Sequence, residues 1–128
     1  MFKFENVDDL KKLEKEAAFP DRLNEKTIYK SLNRVAKNFP SRPAISFQIT
    51  SKPGSKSETY TWSELHEIVV KAANAFRKVG IKKDDVIAFV LPNCSETAIT
   101  FLAGAITGIV NPINALLEPK QISHLLSC

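Results

Sequence analysis

The sequence predicts an α/β fold in which βαβ units contribute to a mixed sheet flanked by helices. Apolar stripes at helical spacing alternate with short apolar runs of strand length from residue 28 to residue 126. Residues 86–114 in particular run strand, helix, strand with short connections, which defines a βαβ unit with an expected right-handed crossover. The composition, 44% hydrophobic and 25% charged, is that of an ordinary globular domain.

Two helices are predicted before the first strand. Residues 7–18 form a weakly amphipathic arm that we expect to end at Pro20. The second helix is better marked, because it carries one continuous apolar stripe and is stopped by Pro40 and Pro43. The stripe consists of Ile28, Leu32, Val35, Ala36 and Phe39.

The next segment predicts a strand pair and a long helix. Residues 44–49 and 59–62 are the strands, and the run between them would be their connecting loop. Thr61 and Glu64 have the spacing of a capping box, so a helix should begin near Trp62. Gly80 stands where a left-handed C-terminal cap is needed, which ends this helix.

The last third predicts strand, helix, strand and a final helix. Residues 86–91 are apolar on both faces, as in a buried parallel strand, and Asn93 and Glu96 are candidate caps for the helix 95–107. Strand 109–114 contains Pro112, which predicts an edge or a bulge. Pro119 opens a helix whose apolar face has no partner in the sequence, which we interpret as a cut inside a larger fold. That face carries Ile122, Leu125 and Leu126.

Charge and cysteine content exclude several classes of function. The net charge of +4 comes from basic residues interrupted by acids, so no nucleic-acid-binding face is expected. Cys94 and Cys128 are too few for a disulfide framework or a metal site, which favours a reducing cytoplasm. The N-terminus lacks a signal-peptide core, and the apolar stretch 86–117 is too interrupted to span a bilayer.

Residues 49–59, "ITSKPGSKSET", have the composition of a phosphate-binding loop. A P-loop needs two glycines that bracket four residues, then Lys and Ser or Thr, directly before a helix. Here Gly54 is the single glycine and a strand follows. A hairpin loop with a turn at Pro53-Gly54 accounts for the segment better.

Four other groups of residues could form sites, but each fits a structural role better. Asp84 and Asp85 could bind Mg²⁺, but they precede their strand and fit a solvated turn. Cys94 lies at a helix N-terminus, where a thiol is activated, yet neither His66 nor His124 is placed to act as its base. The histidines share no metal-ligand spacing. One helix face could contact a ligand but better fits packing on the sheet; it carries Thr97, Thr100, Gly104 and Thr107.

The ordered segments resemble the N-terminal region of the adenylate-forming (AMP-binding) acyl-CoA synthetases over residues 25 to 126. The resemblance rests on an aromatic-Thr strand "TYTW", an amphipathic helix closed by glycine, the strand "DDVIAFVLPN", the strand "GIVNPIN" and a helix opening with Pro. Members of this family use ATP and Mg²⁺ to form an acyl-adenylate and then transfer the acyl group to coenzyme A. The resemblance leaves open whether a carrier protein replaces coenzyme A as the acceptor.

The resemblance implies a role for only one short segment of this chain. In the family, the loop after the "GIVNPIN" strand comes near the coenzyme A channel, which points by position to Asn114, Ala115 and Leu116. Relatives often carry glycine there, and Ala115 and Leu116 depart from that pattern. The family's phosphate loop and catalytic lysine have no counterpart here, so no catalytic or metal-binding residue is assigned to these 128 residues.

Two hypotheses of different classes follow. In the first, residues 1–20 are an arm and residues 21–128 are the N-terminal part of a truncated adenylation domain from a fatty-acyl or related ligase. This fragment would be inactive alone, would bind no cofactor tightly, and would have the rest of its own enzyme as partner and a fatty acid or other carboxylate as substrate. It would be cytoplasmic, with peripheral membrane association left open. In the second, the chain is a complete small α/β protein-interaction module without catalysis.

Overall fold

The computed structural model describes residues 5–23 and 25–127, without the side chain of Phe19. Helices and strands alternate through this range, in agreement with the predicted α/β class. The helices are α1 (Val7–Glu16), α2 (Phe19–Arg22), α3 (Ile28–Asn38), α4 (Trp62–Lys78), α5 (Ser95–Thr107) and α6 (Pro119–Ser127). The strands are β1 (Pro43–Gln48), β2 (Ser57–Thr61), β3 (Val86–Val90) and β4 (Ile109–Ile113).

The N-terminal arm differs from its prediction. α1 begins after Asn6, whose side chain accepts hydrogen bonds from the backbone of Asp8 and Asp9, and it ends at Glu16. Pro20 does not terminate it but lies in the first turn of α2, where a missing backbone N–H costs nothing. Arg22 of α2 bridges the two helices, because its guanidinium donates to the carbonyl oxygen of Leu13 in α1 and, from Nε at 2.9 Å, to that of Ala17.

The strands form two separate sheets rather than one mixed sheet within the described residues. β1 pairs with β2 antiparallel and β3 pairs with β4 parallel. The physical reason is that α5 lies between them, in contact with β1 of one sheet and β4 of the other. In the described range β4 has only β3 beside it, so Pro112 lies on an edge strand as predicted, and it pairs opposite Phe89 without a bulge.

Both ends of α4 form as predicted. The Glu64 backbone donates to Thr61 Oγ1 at 3.3 Å, and the Thr61 backbone donates to Glu64 Oε2 at 2.8 Å, which completes the capping box. At the other end Gly80 has φ +100°, and its N–H donates to Arg77 while the Ile81 N–H donates to Phe76. These two bonds are the Schellman motif that a C-terminal glycine permits.

The core is formed where α4 packs on α3 and α5. The buried cluster consists of Leu32, Leu65, Val69, Ala73 and Ala103. Val69 and Ala103 have no exposed surface, which makes them the centre of this helical layer. α5 contacts α4, β1 and β4, as expected for a helix that is apolar nearly all round.

Most of one face of the parallel sheet is exposed, and only Ile113 at its end is buried. Val86 and Ile109 are paired neighbours, and Val90 lies four residues further along β3 on the same face. All three side chains are substantially exposed, whereas Ile87 on the opposite face is buried. Leu125 and Leu126 of α6 are exposed as well, as the sequence predicted for this helix. The described fold therefore presents an apolar sheet face and an apolar helix face to solvent.

Candidate functional site

The loop 49–56 is the connection of the β1–β2 hairpin. The Ser55 N–H donates to the Lys52 carbonyl at 3.1 Å, and Gly54 has φ +77°. Proline at the second and glycine at the third position of the four-residue turn 52–55 match a type II turn. Thr50 Oγ1 and Ser55 Oγ, 2.6 Å apart, close the base of the loop. The hairpin interpretation is confirmed, and the loop is not followed by a helix that could bind phosphate.

The aspartates before β3 belong to a turn, as predicted. Asp85 Oδ2 accepts a hydrogen bond from the Lys82 backbone at 2.7 Å, and the Asp85 carbonyl accepts from Ile109 at 2.9 Å. Asp84 is exposed. The Asp85 carboxylate thus closes its own turn, and its backbone ties that turn to the start of β4.

The small-residue face of α5 packs on its neighbours. A Cβ placed on Gly104 would lie 2.4 Å from Val110 Cγ1, so the helix approaches β4 more closely than any side chain would allow. Buried Thr107 Oγ1 lies 2.9 Å from the Ala103 carbonyl and 3.4 Å from the Ala73 carbonyl of α4. Thr97 is hydrogen-bonded to the Pro92 carbonyl, and Thr100 is half-buried. The packing interpretation is confirmed for Gly104 and Thr107.

A polar cluster joins β2 to the N-terminus of α5. Ser95, 1% exposed, donates a hydrogen bond to the Glu58 carboxylate from a position 37 residues away in sequence. Tyr60 Oη donates to the other oxygen of Glu58 at 2.7 Å. The Ser95 and Tyr60 hydrogen bonds hold the pKa of Glu58 below its usual range, and the bond to Glu58 raises the pKa of Tyr60. A carboxylate at a helix N-terminus also interacts favourably with the helix dipole.

Cys94 lies beside this cluster, and no base among the described residues is hydrogen-bonded to it. It is the N-cap residue of α5, although its side chain makes no capping bond, and its Sγ lies 3.3 Å from Thr97 Oγ1. The predicted caps Asn93 and Glu96 do not occupy the N-cap position, because the chain is still extended at Cys94. The anionic group near this helix end is instead Glu58. A thiol without a neighbouring base, close to a carboxylate, is poorly arranged for nucleophilic chemistry.

The two histidines contribute no site geometry. His66 lies within α4, and its ring centroid is 6.0 Å from that of Tyr29 on α3. Its buried Nε2 has no hydrogen-bond partner among the described residues. His124 lies on α6. Within residues 5–23 and 25–127, no group of three or more His, Cys, Asp or Glu side chains could hold a metal ion. Cys128 falls outside the described residues.

Asn114, Ala115 and Leu116 come together on the turn between β4 and α6. Asn114 Oδ1 accepts a hydrogen bond from the Leu116 backbone at 3.0 Å, and the Asn114 carbonyl accepts from Leu117 at 3.2 Å. Leu116 is 89% exposed. The turn follows the carboxyl end of a parallel strand, the edge at which α/β folds bind ligands.

Comparison with known proteins identifies the family. The model of the AMP-binding enzyme family matches residues 32–127. The marinolic acid–CoA ligase of a Pseudoalteromonas species is 27% identical over 122 residues, which covers 95% of this chain and 18% of that protein. The acetyl-coenzyme A synthetase of Bdellovibrio bacteriovorus is 32% identical over 96 residues, which covers 74% of this chain and 15% of that protein.

The fold leads to the same family. The solved structure of a Mycobacterium tuberculosis fatty acyl CoA synthetase superposes with a TM-score of 0.67 at 25% identity, covering 80% of this chain and 19% of that one. The chain therefore spans less than a fifth of each of these three relatives. No described helix is long and apolar enough to cross a membrane. The family match extends over most of α3 and over all of α4, the parallel sheet, α5 and α6, and so the chain belongs to the AMP-binding enzyme family, of which it covers the N-terminal part of the domain.

Proposed function

We propose that this chain is the N-terminal part of the adenylation domain of a longer ATP-dependent acid–CoA ligase. The observation that carries the proposal is the family match over residues 32–127 together with the small share of each relative that the chain covers. Residues 1–20 form an arm, and residues 21–128 form the beginning of the domain. The parent protein would act in the cytoplasm, either free or at a membrane surface.

Within such an enzyme the segment acts as a scaffold. Its helical layer of α3, α4 and α5 is internally packed, whereas the outer face of β3–β4 and the α6 face expose apolar side chains. Exposed apolar patches of this kind mark interaction surfaces. The rest of the adenylation domain would cover these faces, with Val86, Ile109 and Leu125 among the buried contacts.

Neither of the two described segments that most resemble a phosphate site suits the phosphates of ATP. The Ser/Thr/Gly/Lys-rich segment is a hairpin loop between two strands, and the N-terminus of α5 is occupied by the Glu58 carboxylate, which would repel a phosphate. ATP and Mg²⁺ would therefore bind elsewhere in the parent enzyme. The reaction would convert a carboxylate, ATP and coenzyme A into acyl-CoA, AMP and pyrophosphate, with a fatty acid as the proposed substrate.

The turn 114–116 is the proposed contact with coenzyme A. Its exposed leucine, at the carboxyl end of β4, offers an apolar surface to the pantetheine arm. In the parent enzyme, Leu116→Asp should raise the KM for coenzyme A and leave the KM for ATP unchanged. The matched control is Ile49→Asp, which adds the same charge at an 85% exposed apolar residue of the β1–β2 loop. Equal effects on both Michaelis constants would contradict the assignment.

The catalytic part of the proposal can be tested on this chain directly. The purified 128-residue protein, incubated with ATP, Mg²⁺, a fatty acid and hydroxylamine, should give no acyl-hydroxamate above background, because no described residue fits the nucleotide. An acetyl-coenzyme A synthetase with acetate serves as the positive control. Hydroxamate formation by the isolated chain would contradict the scaffold role.

The second candidate is a complete small interaction module without catalysis. The exposed Leu125 and Leu126 on α6 favour it, since an apolar helix face can dock a partner protein. A monodisperse monomer in solution would support a self-sufficient domain. Dimers or aggregates that disappear in a Leu125→Lys, Leu126→Lys variant would support a face normally covered by the rest of a larger fold.

A further inference from the structure

The helix α1 carries an apolar stripe, yet none of its residues is buried in the described structure. Val7, Leu10, Leu13 and Ala17 recur three or four residues apart, so they lie along one side of the helix. Val7 and Leu10 are 65% and 46% exposed. The stripe borders a cavity of about 410 Å³ whose lining also includes Arg22. In this position α1 keeps its apolar side chains beside unfilled space, where they lose the contacts that close packing would give.

An apolar cleft begins where the chain leaves α2. Leu23, the residue after α2, lines this cleft together with side chains from α3, β1, α4 and α5. The cleft has a volume of about 620 Å³ and mainly aliphatic walls, with Ser31 and Trp62 among the other lining residues. α2 has four residues and is about 6 Å long, whereas α1 has ten residues and is about 15 Å long. If α1 turned about the connection Ala17–Ala18, it would be long enough to reach across the cleft.

The side chain of Arg22 holds the end of α1 against α2. Its guanidinium donates to the carbonyl oxygen of Leu13 and, from Nε at 2.9 Å, to that of Ala17. Both carbonyls lie at the C-terminal end of α1, where backbone acceptors have no partner within the helix. The connection itself has extended backbone at Ala17 and Ala18. Two hydrogen bonds from one side chain therefore keep α1 turned back along α2.

We propose that α1 is a strap that closes over the cleft with its apolar stripe against the cleft walls, and that Arg22 is the latch that holds the strap open. Burial of two apolar surfaces against each other is favourable, and the short connection keeps the helix at a high effective concentration near the cleft. A strap from a second copy of the chain would lack this tether. The family match begins at residue 32, after the strap, so the inference does not depend on the proposed ligase function.

Disulfide trapping in the 128-residue protein tests whether the strap closes. In a background with Cys94→Ser and Cys128→Ser, Leu10→Cys places a thiol on the stripe and Ser31→Cys places one on the cleft wall. With oxidised glutathione this pair should form an intramolecular disulfide, which requires the two Cα atoms to approach within about 7 Å. The matched control combines Lys12→Cys with Ser31→Cys. Trapping of the control should be at least about tenfold slower, because residues 10 and 12 lie on different sides of the helix.

A second variant tests the latch. Arg22→Met keeps the aliphatic part of the side chain but removes both donors. It should raise the trapping rate of the pair at residues 10 and 31 about fivefold, the factor that corresponds to one hydrogen bond of ordinary net strength. The rate of the control pair at residues 12 and 31 should not change. Lys37→Met, which removes an exposed cation near the end of α3, should leave both rates as they are.

Each adverse result overturns the proposal in a defined way. Equal trapping rates at residues 10 and 12 show that the stripe does not pack against the cleft. Disulfides between two molecules, with a yield that rises with protein concentration, assign the cleft to a second copy of the chain. An unchanged rate in Arg22→Met, or an equal rise for both cysteine pairs, shows that Arg22 is not the latch.

Discussion

The contact between α5 and β4 predicts the effect of Gly104→Ala. An added Cβ would lie 2.4 Å from Val110 Cγ1 and 3.4 Å from Ile87 Cδ1. The first distance is too short for any pair of non-bonded carbon atoms. Val110 is β-branched and sits in a paired strand, so it cannot simply rotate away. Either α5 or β4 must shift.

The magnitude follows from two opposing terms. Replacing glycine by alanine within a helix gains about 1 kcal/mol of helix propensity. Overpacking a tight contact costs about 1–3 kcal/mol, and the severity of this clash places it in the upper half of that range. We therefore expect Gly104→Ala to lower the free energy of unfolding by about 1–2 kcal/mol. Ala75→Gly, at an exposed alanine of α4, measures the propensity term.

The assay is equilibrium urea unfolding, followed by Trp62 fluorescence and by circular dichroism. The double variant Gly104→Ala, Val110→Ala removes the clashing Cγ1 and should recover at least about 1 kcal/mol relative to the sum of the single changes. A Gly104→Ala protein that is about 1 kcal/mol more stable than the wild type would show that only propensity acts. The close approach of α5 to β4 would then be refuted.

Three further predictions concern single hydrogen-bonded positions. The pKa of Glu58 lies below its ordinary value of 4.5 because Ser95 and Tyr60 donate hydrogen bonds to its carboxylate, so the stability that Glu58 contributes is present above pH 4.5 and is lost as the pH falls through the folded-state pKa. Urea titrations should show that Glu58→Gln lowers the free energy of unfolding at pH 7 and that the difference from the wild type shrinks below pH 4.5. A difference that does not depend on pH would contradict the hydrogen-bonded carboxylate. Thr61→Ala removes the N-cap of α4 and should cost about 1 kcal/mol in urea unfolding, with Ser63→Ala as the exposed control; equal effects would argue against the capping box. Gly80→Ala places a side chain at φ +100° and should lower the unfolding free energy by about 1–2 kcal/mol, although no atom lies within 4 Å of the added Cβ; a neutral result would contradict the left-handed cap.

The features that could be predicted from the sequence are those encoded by adjacent residues. The capping box needs only Thr61 and Glu64, and the helix C-terminus needs only Gly80. The hairpin turn is determined by Pro53-Gly54, and the start of α6 by Pro119. In each case the residues that make the hydrogen bond, or the proline that has no N–H to donate, lie close together in the sequence.

The features that could not be predicted depend on distant residues. Glu58 is the anionic partner of the α5 N-terminus, yet nothing around Ser95 indicates it, because β2 reaches that point only through tertiary packing. Asn93 and Glu96 fit the local capping pattern, but the extended backbone at Cys94 sets the boundary instead. The separation into two sheets likewise follows from where α5 packs.

The candidate site was only partly accessible to sequence reasoning. The turn 114–116 was identified by family resemblance rather than by residue chemistry, since none of its side chains carries charge. An apolar cleft lined by Leu32, Trp62 and Leu102 was not identified, because its lining comes from four separate stretches of the chain whose apolar residues look like ordinary core positions. Only the fold brings Lys26, Trp62 and Ala98 to one cleft.

The central claim, that this chain is the first part of a longer ligase, is tested most directly by the intact mass of the native protein that carries this sequence. The account predicts a mass several times larger than 14.3 kDa, because the relatives extend far beyond the matched region. A native mass equal to that of this chain would contradict the account and would leave the interaction module as the explanation of its exposed apolar faces.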